Sequence, residues 1–239
     1  MTKLSVNINK IATLRNSRGG NLPSVTEAAI RIQEFGAEGI TIHPRPDQRH
    51  ITRQDVYNLK PLIYTEFNIE GNPHQHFIDM ILEVKPTQVT LVPDADNALT
   101  SNAGWDTKTH LEYLTEIITE FKNAGIRTSI FLDPKPELCE YAAKAGTDRI
   151  ELYTEAYASH YHQNRELALK PYLETAIKAT EYGLGINAGH DLSLENLRYF
   201  AENIPNLLEV SIGHALISDA LYMGMENTIQ AYLKRLEIK

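Results

Sequence analysis

Short β-branched runs alternate with amphipathic stretches along the whole chain. The runs that read as strands are Lys3–Ile8, Gly39–His43, Thr65–Glu70, Gln88–Val92, Thr128–Leu132, Arg149–Tyr153, Gly185–Asn187 and Glu209–Ile212. Several are almost continuously apolar, as in Gly-Ile-Thr-Ile at 39–42, Val-Thr-Leu-Val at 89–92 and Ser-Ile-Phe-Leu at 129–132. That is the pattern of strands buried on both faces. The stretches between them have helical spacing: Val25–Phe35 groups Ala28, Ala29 and Ile32, and Asp106–Ala124 places Leu111, Leu114, Ile117, Ile118 and Phe121 on one stripe. Gly36, Gly125, Gly146 and Gly183 each follow such a stretch, where a left-handed residue closes a helix.

Eight strand–helix units with no linker, low-complexity tract or shift of composition predict an α/β fold. The expectation is a single (β/α)8 TIM-type barrel domain over residues 1–239, with extra helices. An open doubly wound sheet is the alternative, but it would have fewer strands, and no Gly-x-Gly-x-x-Gly follows the first strand. The 239 residues suit one such barrel, and the 42% hydrophobic and 23% charged content is ordinary for a globular protein. No apolar run approaches the ~20 residues that span a bilayer. The N-terminus reads as an immediate strand rather than a signal peptide. Cys139 is the sole cysteine and falls in a helix-like stretch, which predicts a buried, inert thiol. Together these features place the protein in the cytoplasm. The net charge of −8 argues against nucleic acid as a partner, yet a few arginines and backbone N–H groups can still hold a small anion.

In a barrel the chemistry collects where strands end. Here those ends carry Asn7, Asn9 and Lys10, then Arg15 and Arg18; His43 and Arg45, then Arg49 and His50; Glu70; Asn187 and His190; and Ser211, Gly213 and His214. Histidine near neutrality and a carboxylate in a water-poor mouth can both trade protons cheaply. Arginine matches phosphate oxygens, and a glycine after strand eight lets the backbone approach an anion. His43, Glu70 and His190 are therefore the candidate acid–base residues, acting on small phosphorylated substrates. Each has a plainer reading: His43 could cap its strand, Glu70 could be solvated or paired structurally, and His190 could belong to a structural turn. Arg15 and Arg18 could equally be surface residues of a loop. The paired histidines His74/His76 and His160/His162 lie in loop or helix contexts without a His-Glu-x-x-His or a cysteine cluster, so they read as solvated surface residues and not as a metal site.

With these residues laid out, the chain resembles the pyridoxine 5'-phosphate synthase family of deoxyxylulose-dependent vitamin B6 biosynthesis. The matching stretches are Val6-Asn-Ile-Asn-Lys-Ile-Ala-Thr-Leu-Arg-Asn-Ser-Arg18-Gly, Gly39-Ile-Thr-Ile-His43-Pro-Arg45, Arg49-His50-Ile, Phe67-Asn-Ile-Glu70, Leu91-Val-Pro, Ile186-Asn-Ala-Gly-His190 and Ser211-Ile-Gly-His214-Ala. They occur in the family's order across nearly the whole chain, and jointly they are highly specific. The resemblance implies a barrel assembled as a homo-octamer built from dimers. It also implies condensation of 3-amino-2-oxopropyl phosphate with 1-deoxy-D-xylulose 5-phosphate to pyridoxine 5'-phosphate, phosphate and water, without metal or organic cofactor. By the same resemblance His43 and Glu70 are general bases and His190 the general acid. Asn7, Arg18, Gly213 and His214 contact the aminoketone phosphate, Arg45, His50 and Thr100 contact the deoxyxylulose phosphate, and Asp94 to about Asp106 forms a closing lid.

Two positions depart from the family pattern. Many members read Asn-Ile-Asp-His where this chain has Asn9-Lys10, so Asn9 is expected to bond a hydroxyl and Lys10 to add charge for phosphate or carbonyl. The glycine usual after His190 is Asp191 here. It is expected at the substrate through its backbone, with its carboxylate turned away from phosphate. Other readings are a different sugar-phosphate lyase, aldolase or isomerase, or a barrel that only binds a phosphorylated metabolite. The chain lacks an obvious Schiff-base lysine at a strand end, which counts against a class I aldolase, although Lys10 is a candidate. Retention of both histidines and the glutamate disfavours a mere binder.

Overall fold

The computed structural model describes residues 1–94 and 103–237. Eight strands close into a parallel barrel in sequence order: β1 Lys3–Asn7, β2 Gly39–Ile42, β3 Glu66–Gly71, β4 Gln88–Leu91, β5 Arg127–Leu132, β6 Arg149–Tyr153, β7 Gly185–Gly189 and β8 Leu207–Ile212. Closure comes from β1 pairing with both neighbours, Val6 opposite Ile40 of β2 and Ile212 of β8. The open-sheet alternative is excluded. Strand one stops a residue earlier than its pattern suggests, and strand seven runs two residues further.

The strands are buried on both faces, but only one face is apolar. Leu4, Val6, Ile40, Ile42, Ile69, Val89, Leu91, Ile130, Leu132, Ile150, Leu152, Val210 and Ile212 are fully buried and belong to the apolar core. The alternating partners are Ser5, Thr41, Asn68, Thr90, Glu151, Asn187 and Glu209, also buried. Bonds between non-adjacent strands show that these fill the barrel's interior: Thr90 Oγ1 reaches Glu151 Oε2 at 3.4 Å from β4 to β6, and Asn187 Nδ2 reaches Gln88 Oε1 at 3.4 Å from β7 to β4. At the floor Glu66 is bonded by both Lys3 and Arg127, and Arg149 Nη1 stands 3.7 Å from Glu209 Oε2.

Ten helices surround the barrel among the described residues: α1 Asn9–Asn16, α2 Val25–Glu34, α3 Arg53–Leu59, α4 Gln75–Val84, α5 Leu111–Asn123, α6 Cys139–Lys144, α7 Glu155–Glu181, α8 Leu197–Asn203, α9 His214–Met223 and α10 Met225–Leu236. The stripe on α5 buries Leu114, Ile117, Ile118 and Phe121, each worth roughly 1.5–3 kcal/mol of transfer free energy. Helix starts follow local chemistry. Ser24 Oγ accepts from Glu27 N at 3.2 Å, and Thr52 with Asp55 forms a reciprocal capping box. At the helix ends, Gly36 (φ 101°) and Gly125 (φ 79°) take the left-handed conformation their positions predict. α7 is broken at Asn164, whose Oδ1 accepts from the backbone of Glu166 and Leu167. Among the described residues no helix is long and apolar enough to cross a membrane.

Candidate active site

The C-terminal strand ends open into a cavity of about 440 Å³. Asn7, Asn9 and Lys10 enter it from β1 and the first turn of α1, His43, Arg45, Arg49 and His50 from β2 and its loop, and Glu70 from β3. Glu151 reaches it from β6, His190 and Asp191 follow β7, and Ser211, Gly213 and His214 close the ring from β8 and α9.

His43 and Glu70 sit side by side, Nδ1 to Oε2 3.7 Å, with side chains 8% and 13% exposed. The backbone under His43 is fixed from the first strand: His43 N donates to Asn9 Oδ1 at 3.0 Å, and Asn9 N donates to Asn7 Oδ1 at 3.0 Å. Asn9, one of the two positions noted as departing from the resemblance, thus supplies an accepting oxygen. It does so without adding charge to a mouth that already holds Glu70, Glu151 and Asp191.

Burial sets the proton affinities. It pushes His43 well below the usual histidine range, and Arg45, His50, His190 and Arg49 push the same way. Burial raises Glu70 well above the usual carboxylate range, reinforced by Glu151, Asp94 and Glu209. Glu151, buried beside these, is pushed up to about 7 chiefly by burial, while its hydrogen bond with Thr90 and the nearby His190 pull it down. His50 is held down at about 4 by burial and Arg45. At neutral pH His43 and His50 are neutral, and the carboxyl groups stand within reach of protonation. A neutral imidazole and carboxyl groups with raised proton affinity therefore share one dry pocket.

Two flanks suit anions. Gly213 caps α9, whose first turn has no preceding carbonyls for its N–H groups and carries the positive end of the helix dipole. A side chain at 213 would crowd Asn7, with its Cβ only 3.1 Å from that of Asn7. On the other flank Arg45 is buried, its Nη2 2.6 Å from Asp94 Oδ2, and Asn72 Nδ2 donates to the Asp94 carbonyl at 2.9 Å. Arg49, His50 and Lys10 line the same side.

Most residues expected at the mouth are brought together there, and the exceptions are specific. Arg18 is exposed in the turn after α1 and does not line the cavity. Arg15 is neither a surface residue nor a ligand: it turns inward, giving Asp55 two hydrogen bonds at 2.6 and 2.8 Å and reaching the His50 carbonyl at 3.3 Å. Thr100 and most of the expected lid, residues 95–102, lie outside the described residues. Asp191 lines the cavity, and its Oδ2 accepts from His190 Nδ1 at 2.6 Å. Cys139 is fully buried and its thiol is pushed up to about 12, while His74, His76, His160 and His162 are exposed.

Glu151 lines the cavity without having been singled out as a candidate, and Ser211, noted as a strand end but given no role, lines it too. The signal for Glu151 was present in Arg-Ile-Glu-Leu-Tyr, a carboxylate between apolar residues of a strand, which burial penalises unless it is paired or used.

Comparison with known proteins agrees with this geometry. The family model described as pyridoxal phosphate biosynthesis protein PdxJ matches residues 4–238. The chain is 66% identical over 237 residues to pyridoxine 5'-phosphate synthase of Christiangramia forsetii, covering 99% of this chain and 100% of the relative. It is 59% identical over 238 residues to the enzyme of that name from Porphyromonas gingivalis, covering both chains in full. Among solved structures, phosphoribosyl anthranilate isomerase from Thermotoga maritima aligns at a TM-score of 0.61 with 12% identity over 99% of each chain. Tryptophan synthase from M. tuberculosis aligns at 0.69 with 9% identity over 100% of this chain and 94% of its own. Those two likenesses show the barrel fold. The matches over nearly the full length show more: the chain belongs to the PdxJ family of pyridoxal phosphate biosynthesis proteins.

Proposed function

We propose that this mouth carries out the ring closure that gives pyridoxine 5'-phosphate synthases their name, condensing 3-amino-2-oxopropyl phosphate with 1-deoxy-D-xylulose 5-phosphate. The observation that carries the reading is the meeting of His43, Glu70, Glu151 and His190 in one cavity flanked by two anion-suited walls. The aminoketone supplies its own amine to form the imine with the deoxyxylulose carbonyl, so no enzyme lysine is required. Ring closure then needs protons removed from carbon and delivered to departing oxygens, with loss of phosphate and water.

In this reading His43, neutral and 3.7 Å from Glu70, takes protons, and Glu70 relays or accepts them. His190 delivers a proton to a leaving oxygen. Glu151, poised near 7, offers negative charge to the cationic imine as it develops. Asn7, Gly213 and His214 with the start of α9 hold the aminoketone phosphate. Arg45, His50 and Lys10 hold the deoxyxylulose phosphate, and Asn9 bonds a hydroxyl of that sugar through its amide. Asp191 stands among the substrate contacts by resemblance alone, since its backbone N–H and carbonyl are bonded to Thr154 and Asn196. Arg18 and Thr100 join the phosphate contacts by resemblance alone, as does the lid. The single-domain reading of 1–239, the cytoplasmic location and the homo-octamer built from dimers belong to the same proposal.

Phosphate release measured with both substrates, and with each alone, tests it. Turnover only with the pair, lost in His43→Ala, is expected, and phosphate release from either substrate alone at the same rate would overturn it. Lys10→Ala should raise the KM for deoxyxylulose phosphate, and an unchanged value removes Lys10 from the site.

A further inference from the structure

We propose that the side chain of Asp191 is a positioning residue for His190 and not a substrate ligand. Asp191 fixes the imidazole so that its proton is delivered from Nε2. The proposal rests on the acid role assigned to His190 above and deepens it.

His190 has a left-handed backbone, φ 90°, which costs a non-glycine residue and persists only where surroundings hold it. The hold is visible on both sides. His190 N donates to the Ser211 carbonyl at 3.3 Å, and the preceding Gly189 carbonyl accepts from Thr154 N at 3.3 Å and Thr154 Oγ1 at 2.7 Å. Asp191 N donates to the same Thr154 Oγ1 at 3.1 Å, and Asn196 Nδ2 reaches the Asp191 carbonyl at 3.3 Å. The loop is thus laced to the end of β6 and to β8, and the Asp191 backbone N–H is already committed to Thr154.

The ring is fixed in turn. Asp191 Oδ2 stands 2.6 Å from His190 Nδ1, and the Tyr153 ring meets the imidazole edge-on at 5.3 Å. A carboxylate at Nδ1 keeps the hydrogen on that nitrogen and leaves Nε2 to exchange its proton, the arrangement by which acid–base histidines are held in one tautomer. The same pairing answers the repulsion expected between a carboxylate and a phosphorylated substrate: the charge of Asp191 is spent on its neighbour. A glycine at this position leaves the imidazole to other restraints, so the device belongs to this chain and to relatives that share the aspartate.

Three variants and two readouts decide the matter. Asp191→Asn keeps the shape but offers an amide N–H that can donate to Nδ1 and favour the other tautomer, whereas Asp191→Gly removes the acceptor and adds no bulk. The expected result is a kcat lowered at least about tenfold in both variants, with the KM for the aminoketone phosphate unchanged. On the substrate-free protein, ¹⁵N NMR should show His190, identified by its loss in His190→Gln, as the Nδ1–H tautomer in wild type, shifted toward Nε2–H in Asp191→Asn and as a mixture in Asp191→Gly. Either of two outcomes overturns the proposal: a wild-type tautomer in Asp191→Gly, or a KM change with kcat intact, which would make the side chain a substrate contact. The NMR result needs no turnover. If wild type failed to release phosphate from the two substrates, the functional reading would fall while the tautomer result stood or fell by itself.

Discussion

Gly189 and Glu151 occupy the same space. A Cβ built on Gly189 would lie 2.6 Å from Glu151 Oε1 and 2.8 Å from the Ser211 carbonyl, closer than real side chains approach. The last residue of β7 is therefore glycine because a buried carboxylate on β6 leans against it. Gly189→Ala should displace Glu151 and the strand end that carries His190. Turnover should fall by at least about tenfold with a modest drop in Tm, since an overpacked site costs roughly 1–3 kcal/mol. Kinetics beside a thermal melt check this, and unchanged kcat would show that Glu151 can retreat without consequence.

Glu151 itself gives a pH signature. Burial holds it at about 7, so the free enzyme gains its negative charge as pH rises through neutrality. If that charge steadies a cationic imine, kcat/KM should rise across pH 6–8 on this account. Glu151→Gln should lower kcat by roughly 10²–10³ and lose that rise. A Gln variant that keeps the wild-type profile would assign the limb to another group.

Arg15 is predicted to be a stability residue, against the appearance of its position in a strand-end loop. Its side chain and that of Asp55 are 10% and 11% exposed and joined at 2.6 Å, and Asp55 also closes the Thr52 cap. Arg15→Ala leaves a buried carboxylate short of its partner. Removing one member of such a pair costs about 3–5 kcal/mol, or roughly 6–20 °C in Tm for a domain of this size. Substrate KM should move only slightly, through the His50 carbonyl that Arg15 touches. A Tm within a degree or two of wild type contradicts the reading.

The barrel was legible because its evidence is periodic and local. Short β-branched runs, several almost continuously apolar, mark the strands, and glycines such as Gly36 and Gly125 end helices where only a left-handed turn fits. His43, Glu70 and His190 were legible because they stand at strand ends in distinctive company. What stayed hidden depends on partners far apart in sequence. Arg15 finds Asp55 forty residues on, and Glu151 becomes a site residue only because β6 aims it across the barrel at Thr90. The Asp191–His190 bond is between neighbours, yet it depends on a positive φ that only the surrounding strands impose.

The barrel floor yields a prediction about stability against pH. Glu209 is buried and pushed up to about 8 first by burial and then by Glu66, while its bonds to Lys3 and Arg127 help hold Glu66 down at about 2. The two carboxyls thus share one negative charge, with Glu209 protonated beside ionised Glu66. For Glu209 the folded state binds the proton more tightly than the unfolded chain, whose carboxylate titrates near its ordinary value. Its contribution is therefore intact below about 4.5 and lost as pH rises toward 8. Glu66 works in the opposite sense, and its contribution is lost only as pH falls below about 4.5 toward 2. Between pH 6 and 9 only the first of these two effects acts, in the same direction as that of Glu70 and Glu151, so wild-type Tm should decline across that range. Glu209→Gln keeps a neutral side chain beside Glu66 and cannot ionise, so its melting curve should be flatter and lie above wild type at pH 9. The gain there should be on the order of 1–4 kcal/mol. Denaturant melts at pH 6, 7.5 and 9 decide it: parallel declines for the two proteins would mean that Glu209 ionises freely, and that the floor of the barrel is wetter than its burial suggests.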